Sequence, residues 1–153
     1  MKKLFFALLS FALLTACSAN QKDKFAVYLL DTNQEIFSED DLFSFDATTN
    51  TFTFTPEGAE KMKSYQTSPK LDAGLYQKVF TIRLGEEEIY RGKFWSNLSS
   101  MSENDIVITD VVMVGPDYNT LIIQGAYPGG LSEEKFNNDR LVEHFTEINK
   151  LVN

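Results

Sequence analysis

The segment Arg91-Gly92-Lys93-Phe94-Trp95-Ser96-Asn97-Leu98-Ser99-Ser100 holds the side chains best suited to gripping a ligand. Trp95 is the only tryptophan; it follows two cations and opens onto a run of hydroxyls and an amide. Stacking on the indole, charge from Arg91 and Lys93, and hydrogen bonds from Asn97 would suit a peptide or a carbohydrate. The competing reading is a strand end whose large ring caps the core. It is the stronger of the two for a single ring, because tryptophan is usually well buried.

Other chemistry is sparse. His144 is the only histidine and sits beside Phe145 on a helical stripe, with no serine or acid spaced to form a triad. A lone imidazole needs partners to become a base, so a structural role is expected. The acids cluster as Glu39-Asp40-Asp41, Glu86-Glu87-Glu88 and Glu133-Glu134. Contiguous acids point in different directions, whereas a calcium loop alternates its oxygen ligands around a glycine; solvated turn edges and helix starts are the expectation. No acid pair is marked out as a glycosidase couple, because separation in space is invisible at this level. No zinc, haem or phosphate-loop motif appears, Gly129-Gly130 lacks the setting of a dinucleotide site, and no cofactor is expected.

The remaining reactive side chain is Cys17, the only cysteine, so the chain can form no internal disulfide and no cysteine-based zinc site. Lys2 and Lys3 precede a nearly unbroken apolar run from Leu4 to Leu14. That is the layout of a secretory signal, and it falls short of the roughly 20 residues of a spanning helix. Leu14-Thr15-Ala16-Cys17 resembles the bacterial lipobox. The resemblance implies diacylglycerol on the Cys17 sulfur, cleavage before it, and a further acyl chain such as palmitate on the new amine. Several chains give a persistent anchor, because each buried methylene adds about 0.8 kcal/mol. The organisation expected is therefore a signal over 1–16, a lipidated cysteine with a polar linker over 17–24, and one domain over 25–153. Seven linker residues reach about 25 Å at most. The location expected is the cell envelope outside the cytoplasm, on the outer membrane if the organism has one, since Ser18 after the cysteine resembles the known sorting rule.

Removing residues 1–16 leaves 137 of 153, the size of a single domain, and takes the formal charge from −8 to −10. Such a charge argues against nucleic acid or anionic lipid as partner, both of which call for a basic patch. With no disulfide, the domain must stand on its apolar core, for which 6 tyrosines and the 10 of the 13 phenylalanines that lie beyond residue 16 supply the bulk.

The elements that must position these residues follow from periodicity and turn chemistry. Phe25 to Leu30 reads as a buried strand, and Ser38-Glu39-Asp40-Asp41 as a capped turn before Leu42. Phe43-Ser44-Phe45 and Thr51 to Thr55 read as a hairpin around Ala47 to Asn50, its phenylalanines facing inwards. Thr55-Pro56-Glu57 starts a short helix with Ala59, Met62 and Tyr65 on one face, closed by Ser68-Pro69. Tyr76 to Leu84 and Glu87 to Trp95 form a hairpin around Gly85-Glu86, with Tyr76, Phe80, Ile82 and Leu84 on one face. Asn97 to Asn104 is a polar loop, and Asp105 to Val114 and Asn119 to Tyr127 are strands around Gly115-Pro116-Asp117. Pro128-Gly129-Gly130 is a break, and a final helix carries Leu141, Phe145, Ile148 and Val152. This order implies an α+β fold, a mostly antiparallel sheet with two helices packed on one face.

Thr55-Pro56-Glu57-Gly58-Ala59-Glu60-Lys61, the run Phe80 to Tyr90, and Ile123-Gln124-Gly125-Ala126-Tyr127 ahead of a helix together resemble the large extracytoplasmic domain of the SecD family of protein-export membrane proteins. The resemblance spans about half of the mature chain and implies a similar α+β head used as a binding surface. It departs where SecD has membrane-spanning helices, since no such segment follows the signal here, so coupling export to an ion gradient is not carried over. The function expected is a membrane-anchored, non-enzymatic binding or accessory module with an envelope protein as partner, contacted through Arg91, Lys93, Trp95 and Asn97. The alternative is a small envelope hydrolase that uses acidic residues on glycan or peptide.

Overall fold

The computed structural model describes residues 24–65, 74–112, 114–115, 118–128 and 137–152. Among these the fold is α+β: nine strands in one curled sheet and two short helices. Strand β1 (Phe25–Leu29) is buried except for Tyr28, and β2 (Glu35–Ser38) runs antiparallel to it. A 3-10 turn, Glu39–Asp41, follows, where the Asp41 carboxylate accepts the Ser38 N–H at 2.9 Å. Strands β3 (Leu42–Asp46) and β4 (Thr51–Phe54) form a hairpin. Its turn is built on Asp46, which accepts the N–H groups of Thr48 and Thr49. Helix α1 (Pro56–Lys63) starts as its residues dictate, with the Thr55 hydroxyl accepting the Gly58 N–H at 3.0 Å and proline in the first turn. Strands β5 (Val79–Leu84) and β6 (Glu87–Phe94) turn at Gly85, whose φ of 60° suits a residue without a Cβ. Strands β7 (Ile106–Thr109) and β8 (Thr120–Gln124), helix α2 (Asp139–Glu147) and the two-residue strand β9 (Leu151–Val152) complete the order.

The sheet runs β2-β1-β5-β6-β7-β8-β4-β3-β9, with parallel pairs at β6/β7 and β3/β9 and antiparallel pairs elsewhere. It curls until β1 and β4, far apart in that order, touch through Phe25 and Phe52, ring centroids 5.6 Å apart. Phe145 of α2 fills the remaining space against Phe25, Phe45 and Phe52. Eight phenylalanines are fully buried among the described residues. Each contributes about 2–3 kcal/mol on leaving water, which lets a small domain hold together without a cross-link.

β2, at one end of the sheet order, and β3, which carries β9 at the other, are consecutive in the chain, so the 3-10 turn between them spans the seam. Polar contacts fasten it. Glu39 accepts from His144 Nε2 at 2.7 Å and from the Phe25 N–H at 2.9 Å. Asp40 pairs with Lys24 at 2.6 Å, and Asp41 with Lys61 at 2.7 Å. Lys150 donates to the carbonyls of Glu39 and Leu42, both at 2.6 Å. Glu39-Asp40-Asp41 is the start of a short turn, as expected, and Asp40 is exposed, but Glu39 and Asp41 are half-buried and each of the three acids has its own basic partner from a distant part of the chain. His144 is buried against Glu39.

Other expectations shift for local reasons. Phe43 is 69% exposed because a β-bulge between Leu42 and Ser44 turns it out of the alternation that buries Phe45, Phe52 and Phe54. Val152 belongs to β9, 46% exposed, and not to the helical stripe of Leu141 and Phe145. Tyr76 precedes β5 and does not share the face of Phe80, Ile82 and Leu84. The strand expected over Asp105 to Val114 stops at Thr109, because Asp110 takes φ +73°. Cys17, the signal, the Ser68-Pro69 stop, the Gly129-Gly130 break and Glu133-Glu134 lie outside the described residues. Among those described, no helix is long and apolar enough to cross a membrane.

Candidate functional site

Strand β6 alternates its side chains: Gly92 and Phe94 point into the core, while Arg91, Lys93 and Trp95 lie on the outer face. Because β6 and β7 are parallel, the chain from 95 to 105 must cross back from the end of one to the start of the other. It does so over the outer face, and the site lies beneath it.

Lys93 holds this crossover down. Its Nζ is 2.6 Å from Glu103 Oε2, and the backbone of Glu103 exchanges hydrogen bonds with Tyr127 at 2.7 and 2.8 Å. The Lys93 ammonium, followed by the N–H groups of Asp105 and Asn104, holds the Glu103 carboxyl below its usual range against the opposing cost of burial. Arg91 pairs with Glu88 at 3.0 Å, and Thr81 donates to the same carboxylate oxygen at 2.8 Å. These two partners lower the Glu88 pKa, Arg91 contributing most. Both cations of the segment are therefore engaged within the fold.

Trp95 is 2% exposed. Its N–H extends the parallel ladder to the Ile108 carbonyl at 2.7 Å, and its ring packs against Tyr76 and Tyr127, with centroids 5.3 and 6.5 Å away. It forms a small aromatic cluster apart from the main core. Its indole Nε1 is buried and has no hydrogen-bond partner among the described residues. Asn97 is exposed and links two groups: its Nδ2 donates to Asp110 Oδ1, and its carbonyl accepts from Tyr127 Oη at 3.0 Å. Ser99 shares a hydrogen bond with Tyr76 Oη at 2.8 Å. Asp110 Oδ2 accepts from Tyr118 Oη at 3.1 Å.

The structure thus brings Trp95 and Asn97 into one cluster with Tyr76, Ser99, Asp110, Tyr118 and Tyr127, and leaves Arg91 on the neighbouring strand surface. Asp110 is the residue sequence reasoning missed. Its signal was an acid inside a β-branched run, where a strand would disfavour it and a left-handed turn would not. Leu98 and Met101 on the crossover are exposed apolar residues beside this cluster, and Tyr118 is 40% exposed.

Two surface depressions lie apart from the Trp95 cluster. One of about 210 Å³ is bordered by Leu84, Arg140, Glu143, His144 and Glu147; the other, an open groove of about 610 Å³, is lined by the predicted site residue Arg91 with Tyr90, Ile106, Asp139 and Arg140. Arg140 is paired with Glu87 at 2.6 Å. Among the described residues, the carboxyls of Asp40, Asp46, Glu88 and Glu103 are held below their usual range by the groups that hydrogen-bond to them. No cluster of three or more metal-ligating side chains is present among the described residues. No protein family, curated protein or solved structure matches the chain.

Proposed function

We propose that this protein is an envelope lipoprotein, exported on residues 1–16 and anchored through Cys17, whose head is a non-enzymatic binding or accessory module for an envelope protein. The observation that carries this reading is the polarity of the sheet. Lys24, where the linker would enter, is bonded to Gly85 at one end of β1 and β5, and β6 then runs away from that end to Trp95. Eight residues of strand separate the two, roughly 25 Å. The crossover with Leu98 and Met101, the turn with Tyr118, and the neighbouring Leu30 and Val79 all lie towards the far end of these strands and are the exposed apolar residues found there. Apolar side chains facing away from a tether favour a partner in the envelope over the anchoring membrane.

In the same reading the head is a mostly antiparallel sheet with both helices against one face, since Met62 of α1 and Phe145 of α2 enter one buried cluster. The SecD-like resemblance adds the expectation of a binding head and rests on the capped helix at Thr55 and the hairpin at Gly85. The test is in-cell crosslinking with mass-spectrometric identification of what co-purifies, comparing intact protein, Cys17→Ser and a Leu98→Glu/Met101→Glu double variant. A specific partner lost in the double variant supports the reading. An unchanged crosslink pattern refutes the assigned face, and unmodified Cys17 in the mature protein refutes the anchor.

A further inference from the structure

Asp110 is the one fully buried acid among the described residues. Glu39, Asp41 and Glu103 each contact a basic side chain, whereas Asp110, 4% exposed, is bonded only to the neutral Asn97 amide and Tyr118 phenol among the described residues. An ionised carboxylate offers about four acceptor positions, and two neutral donors leave the charge and half of those positions unmatched. The same Asn97 that donates to Asp110 accepts from Tyr127, and Tyr127 packs on Trp95, whose buried Nε1 is also without a partner. A buried acid without a counter-charge, set in a cluster of aromatic rings, is the combination that recognises an organic cation, by charge on one side and by ring faces on the other.

We propose that Asp110, together with Trp95, Tyr118 and Tyr127, forms a recognition site for an alkylammonium or alkylguanidinium group. The proposal rests on the reading of this end of the sheet as the contact face and names the chemistry that face would select. The group belongs either to a small amine or to a lysine or arginine side chain of the partner.

Trp95, as the only tryptophan, reports on the site directly through its fluorescence. The full chain is titrated with butylammonium chloride and with butylguanidinium chloride, and in parallel with 1-butanol and sodium chloride. A saturable change with a cation and none with butanol or sodium is expected. Asp110→Asn, which keeps the turn and both hydrogen bonds, should weaken it by more than about tenfold, while Asp105→Asn, an exposed acid, leaves it unchanged. A circular dichroism spectrum and melting temperature of Asp110→Asn equal to wild type guard against a fold defect in that variant. No cation-selective response in the wild type, equal binding by Asp110→Asn, or equal losses in Asp110→Asn and Asp105→Asn overturns the proposal. Amine binding without a crosslinked partner would keep this site as one for a small amine and refute the contact-face reading; a partner captured without amine binding would do the reverse. If both hold, competition between butylammonium and the partner assigns the cation to a partner side chain.

Discussion

Gly92 marks a close approach of the β6 and β7 backbones, and replacing it with alanine tests that geometry. A Cβ there would stand 2.0 Å from the Ile106 carbonyl oxygen, 2.8 Å from its carbon and 2.8 Å from Phe80 Cζ. Ordinary contact begins near 3.4 Å, so β7 would have to retreat by about 1.4 Å, and backbone cannot swing aside as a flexible side chain can. Overpacking of this kind costs about 1–3 kcal/mol. Retreat also strains the parallel ladder at Gly92/Ile106 and Phe94/Ile108, and each weakened hydrogen bond adds about 1 kcal/mol. Gly92→Ala should therefore destabilise by roughly 3–4 kcal/mol, which for a domain of this size lowers the melting temperature by about 10–15 °C. Gly115 is the control: the nearest atom to a Cβ there is Lys63 Cδ at 3.9 Å, so Gly115→Ala should stay within about 0.5 kcal/mol of wild type. Thermal unfolding followed by circular dichroism distinguishes the two. A Gly92→Ala protein that melts with wild type would show that β6 and β7 do not approach as described.

The bulge at Phe43 predicts opposite outcomes for two phenylalanines two residues apart: Phe45→Ala should cost about 3–5 kcal/mol and Phe43→Ala less than about 0.5, read from urea midpoints. His144→Ala removes a buried donor from Glu39 at the seam and should cost about 2–3 kcal/mol, with amide exchange rising first in β1 and β9; uniform exchange across the sheet would deny the seam its role. The carboxyls of Asp40, Glu88 and Glu103 are lowered in the folded state, so their contribution is present above their ordinary values, 3.8 for the aspartate and 4.5 for the glutamates. It is lost as pH falls below those values towards the folded ones. Stability should decline with acid below about pH 4.5, and Glu103→Gln should make that decline shallower; a steeper acid limb would contradict the sign.

Much of the fold is legible in local patterns, because local chemistry decides it. Thr55 and Pro56 start α1 by satisfying and removing N–H groups within one turn, and Gly85 closes the β5/β6 hairpin through a φ that other residues resist. Alternation buries Phe52, Phe54, Phe80 and Ile82, because a strand has only two faces. His144 stands beside Phe145 on the last helix, as the stripe implies. Position along the chain could not say which partner His144 finds, since Glu39 lies 105 residues away.

What only the tertiary structure decided depends on which distant segments meet. The two-residue β9 has no pattern of its own and exists because β3 offers it an edge. The acids Glu39, Asp40 and Asp41 look alike in sequence, yet the curl of the sheet delivers a different nitrogen-bearing side chain to each. Trp95 was visible as a ring beside two cations, but a parallel β6/β7 pair requires a crossover, and that crossover buries the ring and commits Lys93 to Glu103. Asp110 became a candidate only when its neighbours were known. An acid's burial and the neutrality of its partners are properties of a place in the fold, which residue order within one segment does not encode.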